Sequence, residues 1–92
     1  MSVKVVSYDL GQPESSGDYK ALIDYMRTFG TRAKPLYSYW LLSTVKSCKD
    51  IRDEAKTYLD SNDKLLVIET SLEDWASYNL PAEVTDWLKA RD

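Results

Sequence analysis

Asp9 is the residue with the most chemistry open to it. It closes an apolar run, Val5-Val6-Ser7-Tyr8, and stands two positions before Gly11. A carboxylate at the end of a central strand sits where a sheet opens to solvent. One carboxylate holds Mg²⁺ weakly, because Mg²⁺ wants octahedral oxygen ligands and takes one or two carboxylates plus substrate phosphates. A two-fold dimer would bring a second Asp9 to the same ion. The metal would then activate water for phosphodiester hydrolysis. An Asp close to a glycine is also an ordinary turn former.

The second candidate set is cationic. Residues 27–52 carry Arg27, Arg32, Lys34, Lys46, Lys49 and Arg52 against Asp50 alone. Residues 53–92 carry four basic and ten acidic side chains, and the whole chain has net charge −3. A basic middle segment in an acidic chain can attract phosphates. It can also be a solvated surface of alternating sign. Other chemistries drop out. The chain has no histidine and one cysteine, Cys48, so an internal disulfide, a Cys/His zinc site and a histidine-based triad are excluded. Gly11, Gly17 and Gly30 stand too far apart for a phosphate-binding loop.

Elements must position these groups, and the residue pattern predicts them. Val3 to Leu10 is apolar on both faces and reads as a central strand. Tyr19, Leu22, Ile23, Met26 and Phe29 recur at helical spacing, so a helix runs from about Asp18 to Phe29, capped by Ser16 or Gly17 and ended by Gly30. Arg32 to Thr44 is either one bent strand or two short strands kinked near Tyr37 and Ser38, with Pro35 marking a strand start, bulge or edge. Ser47 caps a second helix whose buried stripe is Ile51, Ala55, Tyr58 and Leu59. Lys64 to Thr70, with Leu65, Leu66, Val67 and Ile68 in a row, reads as a strand buried on both faces. Trp75 and Tyr78 anchor a tail, and a short helix begins near Pro81.

These elements predict a single α+β domain over residues 1–92, a ferredoxin-like sandwich with helices on one face of an antiparallel sheet. Residues 71–92 form a C-terminal tail and short helix. No run of about 18 apolar residues is present, so the expected location is the cytoplasm. The surplus of aromatics and apolar strands predicts a homodimer.

The run Val5-Val6-Ser7-Tyr8-Asp9-Leu10 resembles the first strand of the second family of CRISPR-associated proteins, the small dimeric subunit of spacer acquisition. Tyr37-Ser38-Tyr39-Trp40 is similar to that family's second strand region, where a serine precedes two large apolar residues. The resemblance covers about residues 3–70 and extends in fold to the virulence-associated protein D ribonucleases. It implies a metal-associated role for Asp9 and a phosphate contact for Ser38. Leu36 stands where the family has glutamine, and Lys34 keeps a basic residue two positions earlier. The tail resembles that of stand-alone relatives outside a CRISPR array.

Two readings follow. In one, the chain is a dimeric nucleic-acid-associated adaptor or binding module, or a degenerate nuclease, that uses its exposed sheet and aromatics to hold a protein or a nucleic acid. The candidate nucleic-acid contacts are Arg32, Lys34, Ser38, Lys46, Lys49 and Arg52. In the other it is an active endonuclease on RNA or DNA, with paired Asp9 residues holding Mg²⁺ at the dimer axis. A single carboxylate and no general base favour the first.

Overall fold

The computed structural model describes residues 2–13 and 16–91. Strand β1, Ser2–Asp9, leads through a single 3₁₀ turn, Gly17–Tyr19, into helix α1, Lys20–Arg27. Strands β2, Arg32–Leu36, and β3, Tyr39–Thr44, form a hairpin. Helix α2, Cys48–Ala55, then precedes β4, Lys64–Thr70, and helix α3, Ala82–Lys89. The sheet is antiparallel throughout, in the order β2-β3-β1-β4. That order makes β1–α1–β2 and β3–α2–β4 two crossovers, each spanning one intervening strand. Right-handed crossovers put both helices on one face, which is the α+β sandwich the sequence predicts.

Strand alternation sorts the core into two layers. Val6, Tyr8, Trp40 and Leu42 face α1 and α2, where Leu22, Met26, Ile51 and Ala55 are fully buried. Trp40 Nε1 donates to the Tyr8 hydroxyl at 2.8 Å within this layer, so both polar tips are satisfied. Lys4 points the same way at the rim, where its ammonium reaches the Ser2 hydroxyl and Glu69 Oε1, the latter at 3.1 Å. Val3, Val5, Ala33 and Leu41 face the opposite side and pack against Leu72, Val84 and Leu88. Helix α3 therefore covers part of the face that α1 and α2 leave open.

Several local expectations change. The hairpin resolves the 32–44 stretch into two strands, with Ser38 at φ 58° in the turn and a register shift between Ala33 and Leu36, around Pro35. Gly30 is not left-handed. Helix α1 ends instead at Thr28, whose hydroxyl donates to the Tyr25 carbonyl at 2.6 Å. Ser16 holds the cap position without a side-chain bond, whereas Ser47 accepts from the Asp50 amide at 3.1 Å as expected. Trp75 packs on the outer layer, but Tyr78 is 91% exposed and anchors nothing. The largest difference is β4. Read as buried on both faces, it lies at the sheet edge with Leu66 60% and Ile68 48% exposed. A row of four apolar residues does not distinguish a central strand from an edge strand whose outer side is uncovered.

Candidate nucleic-acid interface

Arg32 and Lys34 come together on β2, at a cleft between that edge strand and α3. The irregularity around Pro35 lets the Lys34 side chain fold back along the hairpin. Its ammonium lies 5.1 Å from the Tyr37 ring centre and 5.7 Å from that of Trp40, and donates to the Leu36 carbonyl at 3.3 Å. The Arg32 guanidinium donates through one nitrogen to the Phe29 carbonyl at 2.9 Å. Across the gap, α3 brings Glu83 and Trp87, closing a cleft of about 480 Å³. The Arg91 guanidinium stacks 3.9 Å from the Trp87 ring centre and donates to the Trp87 carbonyl at 2.9 Å. The Trp87 indole N–H is shielded from solvent with no acceptor among the described residues. Two cations, indole surface and one carboxylate thus line one concavity, of a size that admits a nucleotide.

The remaining cations are elsewhere. Helix α2 packs over β4, and β4 and β2 are opposite edges of the sheet. Lys46 meets Glu54 at 2.9 Å, Lys49 meets Asp53 at 2.9 Å, and Arg52 meets the other oxygen of Asp53 at 2.9 Å. The Lys49 and Arg52 bonds hold the Asp53 carboxyl below its ordinary range. Lys46 and the Tyr25 hydroxyl do the same for Glu54. Burial and the Glu54 carboxylate push the Tyr25 phenol up. The structure thus splits the five basic candidate contacts in two, Arg32 and Lys34 at the cleft and Lys46, Lys49 and Arg52 each beside an acidic side chain of α2, while Arg27 ends α1.

Asp9 and Ser38 both border a shallow depression at the end of β1. Asp9 is exposed and faces Lys64 in the strand register. Ser38 offers its carbonyl to the Tyr8 amide at 3.2 Å. Among the described residues no group of three or more His, Cys, Asp or Glu is placed to hold a metal ion. A lone carboxylate with a lysine opposite is a poor donor set for Mg²⁺.

The carboxylate that organises this end is Asp63. Its Oδ1 accepts from the Gly11 amide at 2.7 Å and the Tyr19 hydroxyl at 2.8 Å, and its Oδ2 accepts from the Asp60 amide at 2.8 Å. The two backbone donors come first among the causes that hold the Asp63 carboxyl below its usual value. The Tyr19 hydroxyl in turn accepts from the Gln12 amide at 3.2 Å. Gly11 suits this closeness, since a Cβ there would fall 2.5 Å from the Asn62 side chain. Ser61-Asn62-Asp63 has the composition of an ordinary turn, which gives no signal for partners some fifty residues away. Trp87 shares helical spacing with Val84 and Leu88, the pattern of a core-facing stripe, and nothing in that spacing brings α3 onto β2. No family model matches the chain, and no solved structure matches it.

Proposed function

We propose that the chain is a dimeric, non-catalytic module that holds single-stranded nucleic acid at the cleft between β2 and α3. One observation carries the reading: Arg32 and Lys34, nominated as phosphate contacts by charge alone, line the same cleft as the Trp87 indole. Cations that track a backbone beside an aromatic surface that takes a base are the recurring equipment of single-strand binding. Arg32 and Lys34 would neutralise phosphates, and Trp87 would offer its free surface to a base. Glu83 would disfavour a second phosphate at the α3 side and so limit the footprint. The likeness of the first strand to the small CRISPR-associated subunit agrees with a nucleic-acid partner, in a stand-alone relative. Among the described residues no helix is long and apolar enough to cross a membrane.

The test is fluorescence anisotropy with labelled single-stranded RNA and DNA at low and moderate salt. Each phosphate neutralised on a single strand contributes a slope of about −0.7 in log affinity against log salt. Paired Arg32→Glu and Lys34→Glu substitutions should cut affinity by at least tenfold and flatten that slope. Reversal at Lys46, Lys49 and Arg52 should change it far less. Equal loss in both variants, or no binding by the wild type at low salt, rejects the cleft.

A further inference from the structure

Strand β4 has a free edge whose hydrogen-bonding groups can be assigned from the register. Tyr8 donates its amide to Ser38 at 3.2 Å, so Tyr8 turns its peptide groups toward β3. Alternate residues of an antiparallel strand turn theirs the other way. Val3, Val5, Ser7 and Asp9 therefore bond to β4, to their register partners Thr70, Ile68, Leu66 and Lys64. The residues between, Leu65, Val67 and Glu69, hold their N–H and C=O groups out at the edge. Among the described residues no backbone bond from another element reaches them.

The two edges of the sheet are treated differently. Strand β2 carries Pro35, which cannot donate, a register shift between Ala33 and Leu36, and the charges Arg32 and Lys34. These are the features that block an edge against pairing. Strand β4 is regular, has no proline, and exposes Leu66 and Ile68 beside the unpaired groups.

We infer that a second copy of this chain pairs with β4 edge to edge, antiparallel, with the two-fold axis through Val67. This rests on the dimeric reading above and gives it a geometry. Facing residues must share a sheet face and both must point outward, which leaves few registers. With Val67 opposite itself, Leu65 faces Glu69 of the second copy, so all three free residues of each chain are paired. Leu66 then packs against Ile68 of the second copy, and Lys64 faces Thr70. No like charges oppose each other. A shift of two residues one way sets Glu69 against Asp63, two acids. The opposite shift sets Leu65 against Ser71, past the strand end, where Leu72 is already buried at φ 58°. The chosen register covers both exposed apolar side chains of β4 and makes one continuous eight-stranded sheet.

The geometry also constrains Asp9. Three strand spacings across and six residues along separate the two copies of Asp9 by about 25 Å. No single ion could be shared over that distance.

Light scattering and cysteine cross-linking test this, in a Cys48→Ser background. The wild type should have twice the 10.6 kDa chain mass. Val67→Cys should form an intermolecular disulfide, because a hydrogen-bonded antiparallel pair sets its Cα atoms about 5.5 Å apart. The exposed double variant Leu66→Cys with Ile68→Cys gives a second readout should Val67→Cys not fold. Lys64→Cys, about 20 Å from its own copy in this register, should not cross-link. A wild-type dimer in which neither β4 variant cross-links, or in which Lys64→Cys cross-links as readily, overturns the β4 interface and leaves the binding reading standing. A monomeric wild type overturns the interface and the dimer together.

Discussion

The two faces of the sheet are built from the same strands and are finished to different degrees. On the α1/α2 face, Val6, Leu22, Met26, Leu42, Ile51 and Ala55 have no exposed surface. On the α3 face, Val84 and Leu88 seal the β2 side, while Leu36, Leu66 and Ile68 remain 48–60% exposed. The difference follows from connectivity. Helices α1 and α2 are crossovers, and each must span the strand between the two it joins. Helix α3 is not a crossover: it follows β4 after residues 71–81, and β2 is the strand it contacts most. A closed face sets stability, and a part-covered face leaves room for partners. Both proposed contacts, the cleft beside β2 and the pairing along β4, flank the limits of α3.

Truncations on each face sharpen that contrast. Ile51→Ala removes a fully buried side chain from the closed face and should cost about 2–5 kcal/mol. Val84→Ala, on the other face, removes roughly two methylene equivalents and should cost about 1.5 kcal/mol. Its site also lines the open cleft, which limits the cavity left behind. Urea denaturation compares them directly. Equal losses, or a larger loss at Val84, would break the distinction between a closed face and a part-covered one.

The ends of the sheet differ as the faces do, and pH separates them. Asp63 ties the loop after β1 to the turn before β4, and its carboxyl gives up its proton more readily in the folded chain than its ordinary value allows. A group whose folded pKa is depressed stabilises the fold above its unfolded value, near 3.9 for Asp. That contribution is lost as pH falls through the folded value. Asp53, Glu54 and Glu69 are lowered too, so they add to the same acid loss. Asp63→Asn keeps one acceptor oxygen and cannot serve both sets of donors. The variant should melt below the wild type at neutral pH, and the gap should narrow below about pH 4. A gap independent of pH would remove the charge of Asp63 from the account.

The fold was legible because its signals are local. The Tyr19–Phe29 stripe, the Ser47 cap, the two-sided β1 and the Pro81 helix start each lie within a few residues. What escaped reading depends on neighbours far along the chain. Leu65-Leu66-Val67-Ile68 has the composition of a buried strand, and only strand order makes it an edge. The charge excess of residues 27–52 was visible, but its division between an edge strand and a helix was not. Trp87 joins Arg32 and Lys34 only because α3 returns across β2. Asp63 stands in a turn composition, Ser61-Asn62-Asp63, and its bonds to Gly11 and Tyr19 are long-range. Asp9 drew attention through its sequence neighbours, and the structure gives the turn-closing bonds to another carboxylate.

That last exchange makes Asp9 the smallest expected effect and the most direct challenge to the comparison of faces. Asp9 lies on the α3 side with Val3, Val5 and Ser7, at the uncovered end, exposed beside Lys64. Asp63 already accepts the Gly11 amide, so Asp9→Ala leaves no buried donor unpaired. It should stay within about ±0.5 kcal/mol of the wild type, as exposed substitutions do. A loss of about 1–2 kcal/mol, the size of a lost side-chain cap, would show that Asp9 closes the turn after all. Asp9→Asn separates charge from hydrogen bonding, because Asn keeps an acceptor and loses the negative charge that would hold Mg²⁺. Both variants and the wild type should give the same result on RNA and DNA with Mg²⁺, Mn²⁺ or EDTA, namely binding at the β2 cleft without cleavage. Metal-dependent cleavage by the wild type that Asp9→Asn abolishes would turn the open end of this face into an active site. The two copies would then have to meet there rather than along β4, because pairing at β4 holds the carboxylates about 25 Å apart.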